Sequence, residues 1–180
     1  MRLHLFLALV LPALPLFGCT QATGQPDTIS QQTVAAGLNQ SFSHTLTTSA
    51  SSEAIWELWT NIETWKSWDL GLKDAQIEGP FSLGAKGKII PLSGPPADFV
   101  VTQYDAGKMY AFSTKLPFAT LNVRRTIIGI APVVFRHDVS FTGPLAGFWA
   151  SRFGPAFRTA LPPTMAKLKA LGEANVISPP

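Results

Sequence analysis

Residues 133–171 read VVFRHDVSFTGPLAGFWASRFGPAFRTALPPTMAKLKAL. The opening nine residues alternate, and those on the apolar face are Val133, Phe135, His137, Val139 and Phe141. This period of two predicts a strand with one buried face. The turn Thr142-Gly143-Pro144 then ends the strand, and a long apolar helical segment follows. The pair predicts a sheet whose apolar face is covered by a C-terminal helix.

The predicted C-terminal helix carries a broad apolar stripe. Its members are Leu145, Phe148, Trp149, Phe153, Ala156, Phe157, Ala160, Leu161, Met165, Leu168 and Leu171. Three prolines, Pro155 and the pair Pro162-Pro163, interrupt this segment. Because proline lacks an amide donor and clashes with the preceding turn, we expect the helix to bend or break there.

The chain upstream predicts a strand, two short helices and a run of further strands. Residues 41–48 alternate, with His44 on the apolar face, and Ser51 is suited to cap the first helix. A second, short helix holds Trp65 and Trp68. Further strands are predicted near residues 75–78, 86–91, 98–105, 108–115, 119–129 and 133–141.

These elements predict a single α+β domain over residues 41–174, followed by a tail at 175–180.

The N-terminal 40 residues do not show the pattern of a folded domain. Residues 1–18 form an apolar run with one early cation, too short to span a membrane and typical of a signal peptide. Residues 20–40 are rich in Gln, Thr, Ala and Gly and predict a flexible tether, with a decorated first strand as the alternative.

Leu16-Phe17-Gly18-Cys19 resembles the lipobox of bacterial lipoproteins, with Phe17 larger than usual at its position. The resemblance implies that Cys19, the only cysteine, is lipidated and that the domain is held to a membrane of the cell envelope. Thr20, rather than Asp, after the cysteine implies the outer membrane where the host has one, with the domain in the periplasm or outside. The alternatives are an ordinary cleaved signal with a chance cysteine, or a short uncleaved anchor.

Composition argues against nucleic acid as a partner. After residues 1–18 are removed, 13 basic residues stand against 11 acidic ones, because Arg2 leaves with the signal. The basic residues are scattered rather than clustered with aromatics. The low charged fraction, 14%, with 46% hydrophobic residues, indicates a large buried or cavity-lining apolar surface.

Three stretches together resemble a known superfamily. They are Ser49–Asp69 (SASSEAIWELWTNIETWKSWD), Glu78–Gly87 (EGPFSLGAKG) and Val139–Leu145 (VSFTGPL). Their order and spacing are similar to those of START-like, or SRPBCC, proteins, and most of all to the polyketide cyclase/dehydrase family. The resemblance implies a helix-grip fold, an antiparallel sheet curled around a long C-terminal helix with an apolar cavity between them. It also implies small hydrophobic ligands such as lipids, sterols or polyketides.

The residues give no convincing catalytic set. A metal site built on histidines would need more ligands than His44 and His137, and no phosphate loop or G-x-S-x-G elbow occurs. We therefore expect no metal and no cofactor. His137 is the one weak catalytic candidate, as a general acid or base, and a purely structural histidine is the alternative.

Arg124 and Arg125 are adjacent on one strand, so one of them points to each face. An inward guanidinium would need a carboxylate, carbonyl or ligand partner. We favour the alternative, in which strand twist or an edge position leaves both solvated. Trp65 and Trp68 lie on an exposed-looking segment and are candidates for a pocket rim or a membrane contact. The residues that we expect to contact a ligand are Trp59, Trp65, Trp68, Val101, Phe112, Arg125, His137, Phe153 and Phe157.

The leading hypothesis is a membrane-tethered protein that binds a hydrophobic small molecule, a lipid or a polyketide-like compound, in an internal cavity. The second is a cyclase or dehydratase acting on an aromatic or polyketide substrate, with His137 as acid or base. The third is an envelope protein that binds a partner through an exposed apolar patch near Trp65 and Trp68.

Overall fold

Seven strands form one antiparallel sheet within residues 40–176, the part of the chain that the computed structural model describes. They are β1 (Gln40–Thr48), β2 (Leu72–Ile77), β3 (Lys86–Pro91), β4 (Ala97–Asp105), β5 (Met109–Leu116), β6 (Ala119–Ile130) and β7 (Val133–Thr142). Their order across the sheet is β1-β7-β6-β5-β4-β3-β2. The predicted signal peptide, the lipidation site Cys19 and the predicted tether up to residue 39 lie outside the described residues, as do residues 177–180.

The described helices are α1 (Ser52–Thr60), α2 (Trp65–Trp68) and α3 (Ala146–Val176), with a single 3-10 turn at Ile62–Thr64. Ser51 caps α1, since its hydroxyl accepts a hydrogen bond from the Ala54 amide at 3.1 Å. The sheet curls into a half-barrel, and α3 packs mainly against β1 and β7. The predicted α+β arrangement of sheet and C-terminal helix is confirmed.

The helix α3 is continuous through its three prolines, so the expectation of a break was wrong. A proline leaves the carbonyl four residues earlier without its helical donor. Here those carbonyls belong to Ser151, Arg158 and Thr159, all exposed to water, which can supply the missing hydrogen bonds.

The face of α3 that meets the sheet differs from the predicted stripe. Leu145 and Phe148 are exposed, and Ala156 is exposed as well. The first half of the helix instead buries the small residues Ala146, Ala150 and Gly154. Small side chains let the helix backbone approach the sheet closely. In the second half of α3 the buried residues are large and apolar, for example Leu161 and Met165.

Gly154 marks the point of closest approach. A Cβ atom there would lie 2.3 Å from Cζ of Phe42, a buried ring on β1. We expect Gly154→Ala to lower the free energy of unfolding by about 1–3 kcal/mol through overpacking. Gly147→Ala on the same helix is the matched control, since its Cβ would meet nothing within 4 Å; it should raise that free energy by about 0.5–1 kcal/mol. Urea unfolding of both variants is the measurement, and an equal gain in both would contradict this packing.

Candidate functional site

A line of polar side chains crosses the inner face of the sheet. The strand register sets Tyr110 on β5 opposite Arg125 on β6, Arg125 opposite His137 on β7, and His137 opposite His44 on β1. The first three are buried and His44 is half-buried. Residues directly opposite on one face of antiparallel strands have neighbouring side chains. These four residues, here called the polar row, therefore run through a largely apolar interior.

The Arg125 guanidinium lies in an aromatic cage. Its Cζ atom is 4.6 Å from the ring centroid of Trp65 and 4.6 Å from that of Trp68, a cation–π arrangement on two sides. Nη1 donates to the Tyr110 hydroxyl, and Nη2 lies 3.6 Å from Oδ2 of Asp69. Nε has no hydrogen-bond partner among the described residues.

The cage is held in place by the end of α1. Trp65 Nε1 donates to the Trp59 carbonyl at 2.9 Å, and Trp68 Nε1 donates to the Leu58 carbonyl at 3.2 Å. The Tyr110 hydroxyl also donates to the Trp59 carbonyl, at 3.1 Å. Because a helix leaves its last carbonyls without internal partners, α1 offers acceptors where α2 and β5 bring donors. Buried indole N–H groups need such partners.

Burial sets the protonation of the row. It raises the pKa of the Tyr110 hydroxyl to about 12, although the Arg125 charge opposes the rise. Burial, and then the Arg125 charge, hold the pKa of the His137 imidazole well below its usual range. Burial also raises the pKa of the Asp69 carboxyl, against the attraction of Arg125. At neutral pH the row therefore contains a protonated phenol and a neutral imidazole on either side of a guanidinium.

Two expectations about this region were wrong. Trp65 and Trp68 are fully buried rather than part of an exposed rim, because their rings cover the guanidinium and their N–H groups bond to α1. These two rings therefore form no part of the exposed apolar patch that the partner-binding hypothesis placed near them. Arg125 is 1% exposed rather than solvated, because α2 closes over this part of β6.

The other expected ligand contacts fall into two groups. Phe112 and its register partner Val101 are buried beside the cage, with the Phe112 ring 5.6 Å from that of Trp65. Phe153 and Phe157 project from α3, and their rings lie 6.5 and 6.1 Å from that of Phe141 on β7. Trp59 packs edge-on against Tyr110 and Phe135 in the core.

Two members of the site, Tyr110 and Asp69, were not among the predicted residues. Tyr110 gains its role from the pairing of β5 with β6, which the sequence does not give. Asp69 had a usable signal, since it is a carboxylate that directly follows Trp68. Its side chain is 19% exposed, and Oδ1 accepts a hydrogen bond from the Gly71 amide at 3.0 Å.

Two open pockets have residues of β1 in their lining. A groove of about 320 Å³ runs between β1 and α3, lined by Ser41, Phe42, Ser43, His44, Arg158, Leu161 and Pro162. A second, polar cleft of about 510 Å³ lies on the outer face, with Arg124, Arg136 and Asp138 among its residues. The groove is the one that reaches the polar row, because His44 lines it.

The described residues contain no group of three or more His, Cys, Asp or Glu that could hold a metal ion. Within the same residues, no helix is long and apolar enough to cross a membrane.

Solved structures with the same architecture are known. The chain superposes on the di-domain ARO/CYC StfQ from the steffimycin biosynthetic pathway with a TM-score of 0.64 at 9% identity, covering 78% of this chain and 53% of that one. Norcoclaurine synthase from Thalictrum flavum, in complex with dopamine and hydroxybenzaldehyde, gives 0.55 at 11% identity over 79% and 89% of the two chains. Protein MLL2253 from Mesorhizobium loti gives 0.59 at 15% identity over 73% and 96%.

The domain has the helix-grip fold. At these identities the likeness shows the fold alone. No protein-family profile matches the chain, and no curated protein matches it in sequence. The candidate site of this helix-grip domain therefore depends on its own geometry, the polar row and the groove that opens onto it.

The neutral state of His137 predicts a pH dependence of stability. Its pKa is lowered in the folded state, so below about pH 6.5 the His137 imidazole is protonated in the unfolded chain but stays neutral in the folded domain. The free energy of unfolding therefore falls as the pH drops through this range. We expect a slope of up to about 1.4 kcal/mol per pH unit for this one proton. His137→Gln should remove that slope, and His44→Gln, the matched control, should keep it. Urea unfolding between pH 7 and pH 5.5 is the measurement, and identical slopes in wild type and His137→Gln would refute the assignment.

Proposed function

We propose that this helix-grip domain is held beside a membrane by lipid on Cys19. We propose that it binds there a hydrophobic small molecule that carries a polar group. The observation that carries the proposal is the polar row. Four polar side chains cross an aromatic interior, and the row meets solvent at a groove. Apolar walls with a few placed polar groups are typical of small-molecule sites.

The buried polar atoms of the protein that lack a partner indicate which polar group the ligand carries. Arg125 Nε and Thr114 Oγ1 are buried on the inner face without a hydrogen-bond partner among the described residues. A guanidinium N–H can only donate, and buried donors are satisfied by an acceptor oxygen. The favoured ligand therefore carries a carbonyl, phenol or carboxylate group on an apolar skeleton.

The groove is the point of entry. Its volume of about 320 Å³ is at the lower end of the range for small-molecule sites. Phe42 and Leu161 supply apolar wall, and the Arg158 guanidinium lies 4.8 Å from the Phe42 ring centroid at the mouth. From there His44 leads to His137, its register partner, and then to Arg125. A ligand that enters between β1 and α3 follows this order of contacts.

The solved relatives support this class of ligand, since the norcoclaurine synthase structure holds dopamine and hydroxybenzaldehyde, two small aromatic molecules. The lipidated cysteine adds the place of action. A protein anchored to a bilayer meets apolar molecules at high local concentration, and diacyl anchoring is stable where a single chain is marginal.

Filling the groove should block binding. We expect His44→Trp to weaken the saturable binding of the fluorescent apolar probe N-phenylnaphthylamine at least about tenfold, which corresponds to about 1.4 kcal/mol. Thr45→Trp is the matched control, because the neighbouring residue faces outward and is exposed. Fluorescence titration measures the probe affinity of both variants, and equal affinities would place the site elsewhere.

Native mass spectrometry of protein from its own host should show an apolar molecule bound.

The second candidate function is a cyclase or dehydratase. The observation that favours it is the separation of pKa values along the row, with Tyr110 protonated and His137 neutral on either side of Arg125. Groups whose pKa values are pushed apart are suited to proton transfer. The neutral His137 would act as the base, and Arg125 would stabilise an enolate oxygen through Nε, the guanidinium donor without a partner among the described residues. The structurally similar ARO/CYC StfQ comes from the steffimycin biosynthetic pathway.

This candidate predicts a split between binding and turnover. With a poly-β-keto thioester as substrate, His137→Gln should lower turnover by about 10²–10⁴-fold while leaving probe affinity unchanged. His44→Gln controls for a general effect on the row. Unchanged turnover in His137→Gln would remove that residue from any mechanism, and no turnover in the wild type would leave binding as the function.

A further inference from the structure

The turn between β5 and β6 carries an unusual residue. Phe118 has a backbone φ of 54°, in the left-handed region that glycine and asparagine prefer, and its side chain is 76% exposed. A bulky residue at positive φ is strained, and an exposed phenylalanine gains nothing from the core. Strain of this kind is found where a side chain is needed for contact with something else.

Phe118 belongs to a fixed apolar surface. Its carbonyl accepts a hydrogen bond from the Leu145 amide at 3.1 Å, and the Pro117 carbonyl accepts one from Trp149 Nε1 at 3.0 Å. These bonds fasten the turn to the start of α3, where Phe148 is 58% exposed. We define the end patch as Phe118, Leu145 and Phe148, three exposed apolar side chains on this fastened corner.

The end patch lies where the described chain begins. Gln40, the first residue of β1, pairs with Phe141 on β7, and Thr142 pairs with Thr120 on β6. Gln40 and the Phe118 turn are therefore at the same end of the sheet. The preceding segment from Cys19, about 20 residues that could reach up to about 66–72 Å if fully extended, joins the described domain at Gln40.

The charges near the end patch complement an anionic surface. The chain has no Asp or Glu from Ala106 to His137 or from Ser140 to Gly172. Lys115 and Arg152, close to the patch in sequence, are both exposed. The carboxylate at this end of β4, Asp98, is paired with Lys88 at 3.7 Å. Exposed aromatic residues beside cations are suited to the interface of a bilayer that contains anionic phospholipid.

An aromatic path leads inward from the patch. The Phe148 ring lies 5.1 Å from that of Trp149, which stacks on Phe153 at 5.4 Å, and Phe153 contacts Phe141 in the core. We propose that the end patch contacts the anionic bilayer surface to which the domain is tethered, with Phe118, Leu145 and Phe148 inserted at the interface. The inference rests on the proposed tethering and extends it to the orientation of the domain.

Site-directed spin labelling of the full chain, purified with its native modification and placed in vesicles of phosphatidylcholine and phosphatidylglycerol, tests the proposal. Phe148→Cys carries the label, and Ile128→Cys is the matched control, an exposed apolar residue toward the opposite end of β6. We expect the label at 148 to be accessible to oxygen and shielded from an aqueous nickel complex, and the label at 128 to show the reverse. Equal access of nickel to both labels would overturn the proposal.

Two further results separate the possible causes. Phe118→Gly, which removes the strained side chain, should keep or raise the melting temperature and increase nickel access at 148. Shielding at 148 without vesicles would indicate a second copy of the chain on the patch and would also overturn the proposal. Two labels per chain would show a free thiol on Cys19 and refute the lipid tether. Membrane contact of the end patch is judged separately, from the accessibility of the label at residue 148.

Discussion

A single buried cation organises the helix-grip domain. The Arg125 guanidinium sits between Trp65 and Trp68, bonds to Tyr110 and faces Asp69 at 3.6 Å. Burying a guanidinium is costly unless its surroundings compensate, and removal of one partner from such a group costs about 3–5 kcal/mol. The position of α2 over the sheet, the packing of its tryptophans and the polar character of the interior all follow from this one charge.

Burial, which acts with this charge on His137 and against it on Tyr110, makes the interior chemically asymmetric. On one side of Arg125 the Tyr110 hydroxyl is held protonated, and on the other the His137 imidazole is held neutral. The row then opens at His44 onto the groove beside α3. The end patch lies at the end of the sheet where β1 begins.

The periodic parts of the sequence predicted the fold well. Strand β7 and the cap at Ser51 lie where alternation and capping chemistry set them, because burial of one sheet face imposes a period of two. Strand β3 lies between the turn residues that were expected to bound it. Local pattern also placed His137 on the inner face. For these elements the physical signal is contained within a few neighbouring residues.

The errors concern residues whose environment is decided by distant parts of the chain. Arg125 is buried because α2, nearly sixty residues earlier, closes over it, and no local pattern carries that information. Trp65 and Trp68 lie on a helix of four residues, too short to show a period. In α3, close packing on β1 required glycine and alanine at the contact, so the large apolar residues Leu145 and Phe148 were left outside.

The order of strands also governs when the domain can form. Among the described strands β1 pairs only with β7, which lies near the end of the chain. Helix α3, which packs on both strands, follows β7 in the sequence. Until those segments emerge, β1 has no partner and the inner face of the sheet has no cover. Pairings of this sequence separation fold slowly. A chain that emerges residue by residue would therefore stay unfolded until its C-terminus was free.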